Sequence, residues 1–210
     1  MKIIAVGMNY RKHLLELNSP EPKEPVLFIK PDSALAHASA ITSPTNNPFF
    51  LPDFSNEIHY ETEVVVRISK LGKNISAKFA HRYYSDITVG LDLTARDLQN
   101  NLRAKGLPWE ISKGFDQSAV VGAFEPLEQF GVIQNLDFKL DINGKTVQQG
   151  CTADMIFTVD QVIAYASQFF TLKIGDLIYT GTPSGVGCIN VDDHLEGYLM
   201  GKKMLDLRIK

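Results

Sequence analysis

The stretch Ile58-His59-Tyr60-Glu61-Thr62-Glu63-Val64-Val65-Val66 decides how this chain is read. β-Branched and aromatic residues dominate it, so it reads as a strand. Side chains alternate along a strand, which puts His59, Glu61 and Glu63 on one face. Two carboxylates side by side on a largely apolar strand repel each other and lose hydration. A positive group must hold them, or one must take up a proton. The residues leave two explanations open: an edge strand turning a polar face to water, or a metal site.

A second apolar run, Ile87-Thr88-Val89-Gly90-Leu91-Asp92-Leu93, brings a third acid near its end. A lone Asp there is commonly a helix cap or a turn residue. Three carboxylates on strands, without Cys or His at zinc-ligand spacing, suggest a hard cation with oxygen ligands. Mg²⁺ fits best because it keeps positions open for water and substrate, and Mn²⁺ and Ca²⁺ share its ligand type.

The chain of 210 residues suits one fairly large domain, and 44% hydrophobic residues supply a substantial core. A net charge of −3, with Lys and Arg scattered, argues against a nucleic-acid surface. Cys151 and Cys188 are too isolated for a disulfide framework and read as reduced thiols. The opening apolar run is too short for a signal peptide, and nothing reaches the length of a membrane span. A cytoplasmic protein with no nucleic-acid or membrane partner is expected.

Around the acidic strands, Lys2–Val6 reads as a strand stopped by Gly7, with Asn9 capping a short helix to about Leu17. His13 and Glu16 share a face of that helix. As a surface pair they contribute a few tenths of a kcal/mol; as a functional pair the carboxylate orients the imidazole as a general base. Val26–Pro31 reads as a strand closed by proline, and 43–56 as a Pro- and Asn-rich loop whose Phe49, Phe50 and Leu51 pack rather than float. Ser76–Tyr84 suggests a short helix. Thr94 caps a further one, with Asp97 three residues on and Ala95, Leu98 and Leu102 as its apolar stripe. Arg96 in its first turn opposes the helix dipole and needs a carboxylate, from the protein or from a ligand. The segment 107–116, which carries Trp109 and Lys113, reads as irregular.

Further on, Asn143-Gly144 between two strand-like runs signals a hairpin with a type I′ turn. Thr158-Val159-Asp160-Gln161 is a capping box opening a helix to about Phe170. Leu177–Thr180 is a strand running into Gly181-Thr182-Pro183-Ser184-Gly185-Val186-Gly187, either a tight turn or a backbone nest for an anion. The run Met204–Ile209 is expected to close the sheet.

Together these pieces resemble the fumarylacetoacetate hydrolase family in its short single-domain form. The matching segments are Gly7-Met8-Asn9-Tyr10 with His13-x-x-Glu16, Phe28-x-Lys30-Pro31, and His59-x-Glu61-x-Glu63. They continue through Gly90 to Gln99, Lys105-Gly106-Leu107-Pro108-Trp109 with Lys113, and Thr180-Gly181-Thr182-Pro183-x-Gly185-Val186-Gly187. The loop 43–56 departs from the family's glycine-rich pattern.

The resemblance implies one catalytic domain over residues 1–210. Its implied fold is α+β and β-rich, a mixed β-roll or barrel-like sheet with peripheral helices, usually in a homodimer. It makes Glu61, Glu63 and Asp92 ligands of Mg²⁺ or Mn²⁺, and His13 with Glu16 a water-activating pair on a segment that orders over the substrate. Lys113 becomes an active-site lysine, and Arg96, Gln99 and Thr182 become contacts to a small oxo-acid substrate.

The activity so implied is hydrolysis of the carbon–carbon bond of acylpyruvates. Oxaloacetate decarboxylation and oxo-acid isomerisation or tautomerisation need the same site. A non-catalytic metal- and dicarboxylate-binding protein is the alternative of another class. The dyad counts against it, since binding needs no base.

Overall fold

Val64, Val65 and Val66 are all fully buried, so their strand has packed layers on both faces. A computed structural model describes residues 1–38 and 48–210. The first strands are β1 (Ile3–Gly7), β2 (Val26–Lys30), β3 (Leu35–His37), β4 (Ile58–Tyr60) and β5 (Thr62–Ile68). Then come β6 (Tyr84–Asp92), β7 (Thr94–Ala95), β8 (Ala119–Val121), β9 (Glu125–Pro126) and β10 (Asp137–Ile142). The last are β11 (Lys145–Cys151), β12 (Leu177–Tyr179), β13 (Gly187–Cys188), β14 (His194–Leu199) and β15 (Lys202–Arg208). The helices are few: α1 (Arg11–Glu16), α2 (Ala77–Ala80), α3 (Arg96–Ala104), α4 (Glu110–Lys113) and α5 (Val159–Phe169).

A curled eight-stranded mixed sheet runs β2-β1-β12-β5-β6-β8-β3, with β9 beside β6. A four-stranded sheet, β11-β10-β14-β15, packs on it, and a small one, β13-β4-β7, closes one end. Strand alternation divides the core. Ile4, Val6, Val64 and Val66 face the layer that holds α5, while Ile3, Ala5 and Val65 face the inside of the curl with Tyr179 and Val121. The curl is tight at Gly90, where a Cβ would lie 2.7 Å from Val120 O.

The single strand expected at 58–66 is split. The chain leaves the small sheet after Tyr60 and joins the large one at Thr62, so Glu61 sits in the break. The hairpin is as expected, with Asn143 and Gly144 at φ 52° and 79°, the left-handed values that a type I′ turn requires. So is the Thr158 capping box, with Gln161 bonding back.

Two expected caps differ. Tyr10, not Asn9, occupies the N-cap of α1. The Asn9 amide instead donates to Thr180 O at 2.8 Å and Phe157 O at 3.0 Å, because three buried chain segments need their backbone groups satisfied there. Thr94 lies in β7, and its hydroxyl donates to Asp92 O. Of the expected stripe, Ala95 is buried just ahead of α3 and Leu98 packs against the core, while within the helix the buried residues are Arg96 and Gln99, because that face covers a polar cleft.

The irregular segment expected at 107–116 contains α4. Residues 43–47 of the expected loop lie outside the described residues. Beyond them Phe49 is buried against Ile209 and Leu51 half-buried, while Phe50 is exposed. Ile209 and β15 lie at the edge of the four-stranded sheet. Among the described residues no helix is long and apolar enough to cross a membrane.

Candidate active site

Glu61, Glu63 and Asp92 converge at the end of the curled sheet, one oxygen from each lying within 4.8 Å of the others. They are only 5%, 2% and 1% exposed. Local backbone sets this up. Glu61 sits in the strand break, and its carbonyl accepts from Asp92 N at 2.9 Å, locking it to the end of β6. Glu63 follows on β5, opposite Gly90.

Cations surround two of the three acids. Lys113 Nζ lies 2.7 Å from Glu61 Oε2 and 2.8 Å from Asp92 Oδ2. Arg96 donates to Glu61 Oε1 and to the Gln99 amide oxygen, and its Nε faces His59 Nδ1 at 3.3 Å. Lys30 Nζ is 2.6 Å from Asp92 Oδ1. Burial pushes Glu61 up, but Lys113 and Arg96 outweigh it and hold that carboxyl well below the usual range. Burial also works against the Lys113 ammonium, yet Asp92 and Glu61 raise its pKa above the ordinary value.

Glu63 differs. Among the described residues its one hydrogen-bond donor is Gly181 N at 2.6 Å, in the turn after β12 where Gly181 takes φ 102°. Burial, then the neighbouring Asp92, push its carboxyl well above the usual range. Among the described residues no Lys, Arg or His forms an ion pair with it. Among the described residues an ionised Glu63 has only the more distant charge of Lys113 to offset it. Three buried carboxylates with no sulfur or nitrogen ligand among them fit a hard divalent cation. A second acidic group, His194, Glu196 and Asp206, is already met by Lys203, which bonds both acids.

The dyad stands at the mouth of this centre. His13 is buried, and its Nδ1 lies 2.9 Å from Glu16 Oε2. Facing a carboxylate, Nδ1 is the nitrogen placed to donate, the tautomer in which Nε2 can accept a proton. Glu16 Oε1 in turn accepts from Gly185 N at 3.1 Å, so the turn after β12 fixes the dyad as well as Glu63. Thr182, in the same turn, donates to Thr62 O at 2.9 Å.

One small cavity of about 30 Å³ is lined by His13, Glu61, Glu63, Asp92, Arg96, Gln99, Lys113 and Thr182. Eight of the nine residues singled out from the sequence thus share one space, and Glu16 stands behind His13.

Sequence reasoning missed four participants. Lys30 is fully buried against Asp92. Strand parity would have found it, since Phe28 and Lys30 share a face and Phe28 lines the cavity. Arg103 lines the cavity on the α3 face of Arg96 and Gln99. Gln148, from the other sheet, accepts from Thr62 N at 2.9 Å and donates to Thr182 Oγ1 and Pro183 O at 3.0 Å. Asn9 braces Thr180, one residue before Gly181. No local pattern announces Gln148 or Asn9, because their partners are remote in sequence.

The family model described as fumarylacetoacetate (FAA) hydrolase C-terminal matches residues 2–208. Oxaloacetate tautomerase YcgM of Escherichia coli (strain K12) is 41% identical over 195 residues, covering 92% of this chain and 86% of that protein. The mitochondrial oxaloacetate decarboxylase of Dictyostelium discoideum is 42% identical over 186 residues, covering 89% and 83%. Among solved structures, fumarylpyruvate hydrolase from Pseudomonas aeruginosa in complex with Mn²⁺ and pyruvate superposes with a TM-score of 0.92. It is 35% identical, with 100% of this chain and 89% of that one covered. Sequence, curled sheet and clustered acids agree: the chain belongs to the fumarylacetoacetate hydrolase family.

Proposed function

We propose that this protein is a divalent-metal-dependent enzyme that moves a proton on small 2-oxo dicarboxylic acids of the oxaloacetate type, interconverting keto and enol forms. The observation that carries this reading is the His13–Glu16 dyad set over a buried three-carboxylate centre. Relatives named as oxaloacetate tautomerases support it.

Glu61, Glu63 and Asp92 would hold the ion. When bound, it supplies Lewis-acid polarisation of the 2-oxo group. His13 Nε2 takes the proton from the carbon beside that group, the carbon–hydrogen electron pair becomes the new carbon–carbon double bond, and the π pair of the oxo group moves onto its oxygen. Glu16 stabilises the imidazolium so formed, and Lys113 offsets the growing negative charge. Returning the proton to that oxygen completes the enol.

Arg103 argues for a dicarboxylate. Arg96 is held by Glu61, whereas Arg103 lines the cavity with only the Ser19 hydroxyl, at 3.2 Å, as a hydrogen-bond partner among the described residues. A distal carboxylate on the substrate would complete it.

A second reading is metal-dependent hydrolysis of acylpyruvates, in which the dyad deprotonates water for attack on the distal carbonyl. The P. aeruginosa relative, a fumarylpyruvate hydrolase in complex with Mn²⁺ and pyruvate, favours it. A decarboxylase acting on oxaloacetate, the name of the D. discoideum relative, needs no such attack. A homodimer and a cytoplasmic location complete the proposal, and sedimentation velocity and fractionation check them.

The test offers oxaloacetate, acetylpyruvate and fumarylpyruvate with Mg²⁺ or Mn²⁺, and again with chelator. We expect enol formation from oxaloacetate that chelation abolishes and that His13→Ala lowers by about 10²–10⁴-fold. Acylpyruvate cleavage without tautomerisation would select the second reading. Turnover indifferent to chelator would reject both.

A further inference from the structure

The least accessible cation of the site is Lys30, with no exposed surface. It sits on β2, away from the acidic strands in sequence, and takes no part in the proton transfer. An ammonium has three N–H donors. Here they are met by Lys113 O, by Ser118 O at 3.1 Å and by Ser118 Oγ at 3.1 Å, with Leu93 O at 3.5 Å nearby. These acceptors come from α4, the β8 approach and the end of β6. The ammonium is therefore fixed independently of Asp92. Asp92 Oδ1 lies 2.6 Å from it but receives no aligned hydrogen bond, so charge holds that oxygen.

The other Asp92 oxygen meets a different ammonium. Oδ2 meets Lys113 Nζ, the point on which Glu61 Oε2 also converges. Glu61 Oε1 is thus tied to Arg96, Glu63 Oε2 to Gly181 N and Asp92 Oδ1 to Lys30, while the second oxygens of Glu61 and Asp92 share the single ammonium of Lys113. Mg²⁺ and Mn²⁺ suit one oxygen per carboxylate in an octahedral set, whereas Ca²⁺ takes more oxygens and often both of one carboxylate.

We propose that Lys30 is a positioning residue that makes Asp92 a one-oxygen ligand, and so biases the centre toward a small octahedral cation and against Ca²⁺. To recruit its second oxygen, an ion would have to draw it away from an ammonium that cannot follow. This inference rests on the metal reading of the three acids and adds the device that sets their selectivity.

The test is calorimetric titration of the full chain with Mg²⁺, Mn²⁺ and Ca²⁺, on wild type, Lys30→Met and Lys30→Gln, with circular dichroism to establish folding. Wild type should bind Mn²⁺ and Mg²⁺ more tightly than Ca²⁺. Lys30→Met should weaken Mn²⁺ by about 10–100-fold and leave Ca²⁺ nearly unchanged, so that the preference collapses. Equal weakening of all three ions would mean a merely structural lysine and would overturn the proposal. Lys30→Gln, neutral but still a donor, repeats the comparison if the methionine variant does not fold.

Wild type alone gives a further check through the Mn²⁺ electron paramagnetic resonance spectrum. If Ca²⁺ displaces bound Mn²⁺ at equal concentration, the proposal is wrong. If wild type binds no ion at all, the metal reading itself falls and takes the proposal with it, a result distinct from lost selectivity.

Discussion

Glu63 shares a buried centre with two other carboxylates yet, unlike Glu61 and Asp92, meets a lone backbone N–H and no cationic side chain among the described residues. A buried charge without full compensation is expensive, so the metal-free protein favours the neutral form of Glu63 and should tolerate a neutral isostere. We expect Glu63→Gln, in chelator, to melt at or above wild type, and to lose the rise in melting temperature that Mn²⁺ gives wild type. A variant still stabilised by Mn²⁺ would remove Glu63 from the ligand set. Arg103 offers a complementary test. Arg103→Met should raise KM for oxaloacetate by about tenfold or more and spare substrates with a neutral tail; a uniform loss would deny it the distal carboxylate. The three acids were legible because carboxylates in apolar strands are anomalies that demand an explanation. Arg103 was not, because an arginine on a short helix reads as solvated until the helix is seen to cover a cleft.

At the level of elements, α3 depends on a contact outside itself. Its second residue, Asp97, accepts from Ser55 Oγ at 2.7 Å and Asn56 N at 3.0 Å, while Arg96 N donates to Glu57 O at 2.8 Å. The helix start is thereby stitched to the segment that leads into His59 and Glu61. Burial raises the Asp97 carboxyl, but the Ser55 hydroxyl and the Asn56 and Leu98 N–H groups together outweigh it and hold it below its ordinary value. A depressed carboxyl adds stability above the unfolded-state pKa and loses it as pH falls toward the folded one. Asp97→Ala should therefore cost about 1 kcal/mol near neutrality, and the gap from wild type should close as pH drops below about 4. Urea melts at several pH values would show it, and a gap independent of pH would contradict the assignment. Elements with local signals, such as the Asn143-Gly144 turn and the Thr158 capping box, were readable from the sequence. The break at Glu61 was not, since it comes from a strand changing sheets, and strand residues look the same on either side of the change.

The site exists because two sheets meet, and Gln148 is where the second one reaches in. The parallel pairing of β1 with β12 and the approach of β11 to the turn after β12 are contacts between distant parts of the chain. Composition and periodicity carry no trace of them, although the family's motif order did point to the overall architecture. Gln148 is 2% exposed and joins Thr62 N, Thr182 Oγ1 and Pro183 O. Gln148→Leu would strand the Thr62 N–H and the Pro183 carbonyl away from water, a cost of about 2–4 kcal/mol. None of its partners is a metal-candidate acid, so Mn²⁺ titration of the folded variant should stay close to wild type. Turnover should not. The same turn presents Thr182 to the cavity and Gly185 N to Glu16, and loosening it misplaces the base relative to the acids. A displacement of that kind should lower kcat by about 10–100-fold. A Gln148→Leu protein that melts earlier yet turns over at the wild-type rate would show that the second sheet supports the fold without positioning the dyad.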